Sequence, residues 1–274
     1  MALGRNFCLW VYCNSPEQSD YRLDSLTGYL FRGFYPRIYD LGISPVDWYP
    51  NYVQTYVERD VRLVRNISDV HTFHRFLRMC AARVGQLVNL VSLANDCGIT
   101  HNTAKAWLSI LEASFIIFFL QPHHRNFNKR LVKSPKLYFY DPGLVCSLLA
   151  VQNEQQLDFH PMKGSLFESM LISEMMKHYF NQGLEPQCFF WRDKVGHEID
   201  CLLETGESLV PVEFKAGQTI TPDFFKNLNY WRKLSGVGAE HAYVIYGGEE
   251  VQSRSTGQVL GWRYIDRLLS RISS

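Results

Sequence analysis

Three charged residues interrupt two apolar runs between residues 195 and 217, in the stretch VGHEIDCLLETGESLVPVEFKAG. Asp200 lies in the first run, and Glu213 and Lys215 lie in the second. Successive side chains of a β-strand point to opposite faces, so Glu213 and Lys215 share one face while Phe214 points to the other. The TGES stretch between the runs predicts a hairpin turn, which would bring the three charged side chains together on one side of a sheet.

Buried charge is costly unless something compensates it, and a divalent cation is the simplest compensator. Mg²⁺ takes hard oxygen ligands and is often held by only one or two carboxylates plus waters and a substrate phosphate. Asp200 and Glu213 are therefore the predicted metal ligands, because the alternation of the first strand sets Asp200 on the face opposite to Ile199, Cys201 and Leu203.

The chemistry that fits this cluster is phosphodiester hydrolysis. The carbonyl of Phe214 is a possible third ligand, and a bound cation would activate a water molecule. Lys215 could orient that water or neutralise charge on the scissile phosphate. The alternative is a structural salt bridge from Lys215 to Glu213 or Asp200 at an exposed sheet edge, because a D…ExK spacing arises often by chance.

A helix predicted over residues 164–180 supplies a fourth candidate for catalysis, Glu168. The segment GSLFESMLISEMMKHYF is apolar around most of its circumference, which is typical of a buried helix. Glu168 lies on the same stripe as Ile172, Met175 and Tyr179, so we expect it to be partly sheltered and able to cover the end of the cluster.

The segment from residue 71 to 150 favours a winged helix-turn-helix. In NLVSLANDCGITHNTAKAWLSILEASFII, one short helix ends before Gly98, and Thr100 caps a second helix with inward-facing apolar residues at helical spacing. Strand-like segments follow on either side of a basic loop, which suits a wing. If the second helix entered a DNA groove, Lys105 would be its one firm cation. Packing or protein contact is the alternative role for such a unit.

The loop at residues 122–136, PHHRNFNKRLVKSPK, is the stronger candidate for binding nucleic acid. Five cations in fifteen residues are a local excess in a nearly neutral protein and predict contacts to phosphates. An ordinary solvated loop is the alternative. The candidate contacts are Arg125, Lys129, Arg130 and Lys133, with Lys136 completing the set.

The overall composition narrows the class of protein but does not indicate what the protein binds. With 274 residues, 46% of them apolar, the chain can bury a sizeable core, and its net charge of +1 requires any basic surface to be local. The seven cysteines are scattered without a CxxC pair, so neither a disulfide framework nor a zinc site is predicted. No apolar run reaches membrane-spanning length, and we expect a cytoplasmic protein without a membrane partner.

Several motifs occur in the same order as in a known family, among them GYLFRGFYPR, NKRLVKSPKLYFYDPGL, GSLFESMLISE, FFWRDKVGHEIDCLLE and VPVEFKAG. The chain resembles the C-terminal two-thirds of prokaryotic AAA-type ATPases that carry a C-terminal domain of unknown function. That domain is similar to the PD-(D/E)XK, or restriction-endonuclease-like, fold. The resemblance implies that Glu168, Asp200, Glu213 and Lys215 occupy the nuclease motif positions.

The resemblance implies a multi-domain α/β protein, in which a winged helix-turn-helix precedes a restriction-endonuclease-like domain with a mixed central sheet. The expected domains are a helical remnant of the ATPase region (1–70), the winged helix (71–150) and the nuclease-like domain (151–274).

The chain departs from that family because it contains no GxxxxGK[ST] phosphate-binding loop. ATP binding by this chain alone is therefore not expected. A truncated gene product, a mis-called start or half of a split system would explain the departure. The expected partner is nucleic acid, above all DNA. A non-catalytic binding remnant that works with an ATPase partner, or that associates with itself, is the second hypothesis.

Overall fold

The computed structural model of the protein describes residues 25–57, 69–124, 131–206 and 208–272. These residues form a mixed α/β structure, which confirms the predicted class at that level. The helices among them are α1 (Leu26–Arg32), α2 (Pro36–Asp40), α3 (Pro45–Tyr52), α4 (Val70–Ala81), α5 (Leu90–Cys97), α6 (His101–Ala113), α7 (Pro142–Leu148), α8 (Glu154–Asp158), α9 (Lys163–Asn181), α10 (Lys226–Ser235) and α11 (Ile265–Ile272). None of these helices combines the length and the apolar character needed to cross a bilayer.

The strands form one mixed sheet in the order β2-β1-β3-β4-β5-β6-β8-β7. Their bounds are β1 (Ile117–Pro122), β2 (Lys136–Phe139), β3 (Cys188–Arg192), β4 (Glu198–Thr205), β5 (Ser208–Lys215), β6 (Tyr243–Tyr246), β7 (Val251–Arg254) and β8 (Gly257–Gly261). The β3–β4, β4–β5 and β7–β8 pairs are antiparallel. The β1–β3, β5–β6 and β6–β8 pairs are parallel. The predicted mixed sheet is therefore present.

Packing divides the chain into two compact units. The first contains the described residues up to Phe119 together with Lys136–Met170, and the second contains the described residues of Leu120–Pro135 and those from Leu171 onward. Strand β1 and helix α9 each contribute residues to both units. The three-domain division drawn from the sequence stays a prediction.

In the first unit, the buried carboxylate of Asp141 joins the N-terminal helices to α7. It accepts hydrogen bonds from the backbone N–H of Phe34 at 2.7 Å and from that of Leu144 at 2.8 Å. The hydroxyl of Tyr49 lies 2.6 Å from Asp141 Oδ1. Asp141 therefore caps α7 and satisfies groups from two distant segments at once.

The helix pair predicted in the middle of the chain is also present in the first unit. Helix α5 ends at Gly98, which adopts the left-handed conformation with φ of 69°. Thr100 caps α6 by accepting a hydrogen bond from the backbone N–H of Thr103 at 3.1 Å. Inward-facing residues of α6 then pack on α4, and the edge of Trp107 meets the ring of Phe76 at 5.2 Å.

In the second unit, the two faces of the sheet are covered by different helices. Leu202 of β4 belongs to a buried cluster with Leu228 and Trp231 of α10. The neighbouring Cys201 points to the other face, because adjacent strand residues alternate, and its Sγ lies 3.9 Å from Sδ of Met175 on α9. The strands β4 and β5 are thus held between α10 and the second half of α9.

Candidate functional site

Asp200 and Glu213 lie on neighbouring antiparallel strands of the second unit. Cys201 of β4 is opposite Val212 of β5 in the last pair of this register, and Asp200 and Glu213 are the residues next to that pair at the open end of the hairpin. Opposed residues of an antiparallel pair project from the same face of the sheet. The hairpin predicted from the sequence therefore brings the two carboxylates together.

Strand β4 contains an extra residue beside Asp200. Phe189 and Trp191 on β3 are two residues apart, but their partners on β4, Leu202 and Ile199, are three residues apart. Such a β-bulge raises the local twist and redirects a side chain, and bulges are frequent next to active sites. The bulge thus lies next to Asp200 and influences the direction of its side chain.

Because of the bulge, the observed packing of β4 differs from the packing that strict alternation predicts. Ile199 and Leu202 belong to the same hydrophobic cluster, although they are three residues apart in the sequence. Ile199 is therefore separated from Cys201 and Leu203, the residues with which we expected it to pack. The physical reason is that one extra residue reverses the phase of a two-residue repeat.

Lys215 contacts both carboxylates. Its Nζ lies 2.6 Å from Oε2 of Glu213 and 3.4 Å from Oδ2 of Asp200. Asp200 Oδ2 also accepts a hydrogen bond from the backbone N–H of Phe214 at 2.9 Å. The side chains of Glu213, Asp200 and Lys215 are 1%, 15% and 27% exposed, respectively. The structure thus brings together three of the four predicted catalytic residues at a partly sheltered position.

The electrostatics of this cluster keep Lys215 protonated. Burial of the ammonium group would by itself lower the pKa of Lys215, but the charges of Asp200 and Glu213, together with hydrogen bonds to both, raise that pKa above its ordinary value. In this arrangement Lys215 is a cation at neutral pH, so it can stabilise negative charge but cannot serve as a general base.

The oxygen atoms at this position suit a magnesium ion better than zinc. No group of three or more His, Cys, Asp or Glu side chains is arranged to hold a metal among the described residues, which does not match a closed zinc site. Mg²⁺, however, is often held by one or two carboxylates. The carbonyl of Phe214 is on the same side of β5 as its N–H, which is the side that faces β4. With two carboxylates and one ammonium, the cluster has a formal charge of −1, which favours a cation.

Glu168, the fourth predicted catalytic residue, belongs to the first unit. Its Oε1 accepts a hydrogen bond from Nζ of Lys136 at 3.0 Å and another from the hydroxyl of Tyr138. The Glu168 side chain is 16% exposed, so the expected partial shelter is confirmed. Its catalytic role stays a prediction.

Lys136 is not part of an exposed basic loop. Its side chain is only 4% exposed, because Lys136 lies in β2 and forms an ion pair with Glu168. The local sequence does not indicate this burial. Lys136 is the first residue of β2, but in the sequence it is the last cation of a basic segment and therefore looks like part of the loop. The loop therefore has one cation fewer than its sequence indicates.

The other predicted nucleic-acid contacts are placed as follows. Lys105 is exposed on α6, and Lys133 is exposed in the segment that precedes β2. Arg125, Lys129 and Arg130 lie outside the described residues. The two described lysines are accessible to a ligand, and their role in binding stays a prediction.

Sequence reasoning did not single out a second polar cluster, which lies in the turn between β3 and β4. Asp193 is buried there and contacts both His197 and Tyr230. An Asp followed by Gly196 is a turn signal that could have been read from the sequence. The contact with Tyr230 could not, because that residue is 37 positions away from Asp193 along the chain.

Two parts of the chain are similar to known protein families. Residues 23–155 match a family described as a domain of unknown function, DUF8612, and residues 163–265 match another, DUF4143. Uncharacterized proteins of Mycobacterium tuberculosis and Mycobacterium bovis are each 25% identical to the chain over 230 residues. That alignment covers 81% of this chain and 50% of each relative, so the chain spans about half the length of the curated relatives it matches. No solved structure matches the chain significantly.

Proposed function

We propose that this protein is a DNA-directed, nuclease-like protein whose second unit hydrolyses phosphodiester bonds with the help of Mg²⁺. The observation that carries the proposal is the convergence of Asp200, Glu213 and Lys215 at the adjoining ends of β4 and β5. Two carboxylates next to a lysine that stays protonated form a set that can both bind a metal ion and stabilise a phosphate.

Each residue has a defined part in the proposed reaction. Asp200 and Glu213 would hold the cation, with the carbonyl oxygen of Phe214 as a further ligand. When bound, Mg²⁺ supplies Lewis-acid stabilisation of charge on the scissile phosphodiester. Oδ1 of Asp200 is suited to this contact, since the hydrogen bonds of Asp200 with described residues use Oδ2. Lys215 would donate a hydrogen bond to a phosphate oxygen and keep its proton throughout.

The fold and family assignments extend the proposal. We infer that the second unit is restriction-endonuclease-like and that α5 and α6, with β1 and β2, constitute a winged helix that positions DNA. The order of the strands and the helix pair support this inference. The resemblance to AAA-type ATPases with a C-terminal domain of unknown function is a further part of the proposal, supported by the match of residues 163–265 to such a domain.

A second candidate is a non-catalytic DNA- or protein-binding protein that works with an ATP-binding partner. The observation that favours it is that Lys215 already lies within hydrogen-bonding distance of both carboxylates. In this cluster the ammonium group already offsets the charge of one of the two carboxylates without a metal ion. The two candidates therefore differ in whether a divalent cation displaces the ammonium group from the carboxylates.

A cleavage assay decides between them. The purified chain is incubated with linear, circular and single-stranded DNA in Mg²⁺, Mn²⁺ or chelator, beside Asp200→Asn and the exposed control Asp223→Asn. Asparagine at position 200 keeps a side-chain oxygen that can accept from Phe214 N–H, so the strand pairing should survive while metal affinity falls. We expect metal-dependent cleavage in the native chain and the control, and a loss of at least about 100-fold in Asp200→Asn.

The opposite results are equally informative. Cleavage that persists in Asp200→Asn would show that another group, or another protein in the preparation, carries the activity. No cleavage by the native chain in any metal would contradict the catalytic proposal for this chain and leave the non-catalytic candidate. Circular dichroism of each variant separates loss of activity from loss of fold.

A further inference from the structure

The turn between β3 and β4, residues 193–197, is organised around one buried carboxylate. Oδ1 of Asp193 accepts hydrogen bonds from the backbone N–H groups of Val195, Gly196 and His197, at 2.9, 2.8 and 3.0 Å. The side chain of Asp193 is only 1% exposed. These three hydrogen bonds to Oδ1 hold the turn together. Oδ2 of Asp193 contacts the side chains of His197 and Tyr230 instead.

Asp193 and Tyr230 fix the ring of His197 in one orientation. Nδ1 of His197 lies 3.0 Å from Oδ2 of Asp193. The imidazole stacks on the ring of Tyr230 with a centroid distance of 3.8 Å and an interplanar angle of 4°. The hydroxyl of Tyr230 lies 3.5 Å from the same Asp193 oxygen. Two contacts of different kinds thus hold a side chain that is still 38% exposed.

The carboxylate also determines where the protons of His197 lie. Burial would raise the pKa of Asp193, but the hydrogen bonds from the His197 side chain and the turn amides lower it below its ordinary value, so this group is ionised at neutral pH. An ionised carboxylate beside Nδ1 requires a proton on Nδ1. No described residue forms a hydrogen bond with Nε2, and this is the atom that His197 offers to a ligand.

Two exposed lysines lie near His197 at this end of β3. Leu131 bridges to Asp193 and the backbone N–H of Val132 donates to the carbonyl of Arg192, so the segment that carries the exposed Lys133 runs antiparallel beside the end of β3. Lys194 is exposed within the turn itself. Of the other charged neighbours, Arg192 and Glu198 form an ion pair with each other at 3.1 Å, and Asp193 faces Nδ1 of His197. Lys133, Lys194 and His197 therefore share one end of the sheet.

That end of the sheet is also the end at which the carboxylate cluster lies. His197 immediately precedes β4, and Asp200 follows three residues later. At about 3.3 Å per residue of extended chain, their Cα atoms are separated by roughly 10 Å or less. Neighbouring phosphates of one DNA strand are no farther apart than this, so the turn is within reach of the backbone of a strand bound at Asp200.

We propose that the turn Asp193–His197, together with Lys133, binds the backbone phosphates of the DNA substrate, and that His197 makes a proton-linked contact through Nε2. The inference rests on the proposed function, because it names the surface that holds the same substrate. To donate from Nε2 to a phosphate, His197 must be doubly protonated, and the adjacent carboxylate of Asp193 stabilises that imidazolium. Binding should then take up a proton.

The test measures DNA binding without cleavage. Fluorescence anisotropy with a labelled duplex, in chelator and at constant ionic strength, gives Kd of the full chain between about pH 5.5 and pH 8. We expect affinity to rise as the pH is lowered from about 8 to about 5.5, because donation from Nε2 to a phosphate requires an added proton. His197→Gln should weaken binding at pH 5.5 by about tenfold and leave binding at pH 8 almost unchanged.

Two further variants make the test specific to this histidine. His241→Gln removes an exposed histidine of the same unit and should leave the pH dependence as in the native chain. Asp193→Asn keeps an oxygen for the turn amides but removes the charge beside Nδ1, so the gain in affinity between pH 8 and pH 5.5 should become smaller. Isothermal titration in two buffers of different ionisation enthalpy measures the proton uptake directly.

The proposal is overturned if His197→Gln binds DNA with the native pH dependence. It is also overturned if affinity falls on acidification, which is the result expected if a neutral Nε2 accepts a hydrogen bond from a DNA base. Failure of the native chain to bind duplex at any pH overturns it as well. Absence of cleavage alone contradicts only the proposed function, because the binding measurement contains no metal.

Discussion

Glu213 is a buried carboxylate whose charge depends on Lys215. Taking both groups out of water costs several kcal/mol, and their attraction repays this cost only while both are present. The pair is asymmetric, because the side chain of Lys215 is 27% exposed and that of Glu213 is 1% exposed. Loss of the lysine therefore leaves the more deeply buried member of the pair without its cation.

The residue-scale prediction concerns stability. Lys215→Met should lower the free energy of unfolding by about 3–5 kcal/mol, because the buried carboxylate of Glu213 would lose its ammonium partner. Urea denaturation followed by circular dichroism measures the change. The double variant Glu213→Gln with Lys215→Met should recover part of the loss, since the glutamine carries no charge.

A matched lysine provides the control. Lys233 is exposed on α10 of the same unit, and Lys233→Met should change the free energy of unfolding by no more than about 0.5 kcal/mol. If Lys215→Met were as mild as this control, or if the double variant were less stable than the single one, Glu213 would not be charged in the folded protein and the account of the cluster would be wrong.

At the level of elements, the first unit depends on a close approach between α1 and α7. Gly33 ends α1 with φ of 67°, and Gly143 lies in α7. A Cβ at Gly33 would be 2.0 Å from the hydroxyl of Tyr49 and 2.4 Å from Oδ1 of Asp141. A glycine is needed at position 33 both for its backbone conformation and for the space between the two helices.

Gly33→Ala should therefore destabilise the protein by roughly 2–4 kcal/mol, from strain at positive φ and from displacement of the Asp141 contacts. Gly42→Ala is the control, because Gly42 has a similar φ of 59° but no atom within 4 Å of the position that a Cβ would take. It should cost about 1 kcal/mol. Thermal denaturation of both variants measures the difference, and equal effects would mean that only backbone strain matters at Gly33.

Elements with a strong repeat could be predicted from the sequence, and those set by tertiary contacts could not. The hydrophobic stripe of α9 and the capped helix pair α5–α6 are local signals, as is the alternation of β5. Strand β7 was not predicted, because its residues, VQSR, are mostly polar and exposed at the edge of the sheet. Its pairing with β8, rather than any repeat of its own, makes it a strand.

In the candidate site as well, features with a local sequence signal could be predicted and features set by tertiary contacts could not. The phase of β5 predicts that Glu213 and Lys215 share a face, and their contact agrees with it. The bulge beside Asp200 could not be predicted, because it depends on the register with β3. The burial of Lys136 and the stacking of His197 on Tyr230 likewise depend on partners that are distant in the chain.

At the scale of the whole molecule, the net charge of +1 means that the protein as a whole does not attract DNA. Any affinity for DNA must come from a local surface that carries more positive charge than the rest of the molecule. The described residues offer one in the second unit, formed by Lys133, Lys194 and His197. Binding that relies on few cations should depend on salt in proportion to the number of phosphates they contact.

Each exposed lysine of this surface should contribute one phosphate contact. Lys133→Ala and Lys194→Ala should each make the slope of log K against log salt concentration shallower by about 1, because each phosphate contact adds about −0.9 to that slope. Lys233→Ala, on α10, should leave the slope unchanged. Anisotropy titrations between about 50 and 200 mM salt measure the slopes. Equal slopes for all three variants would mean that DNA binds elsewhere on the molecule, for example along α6 with its exposed Lys105.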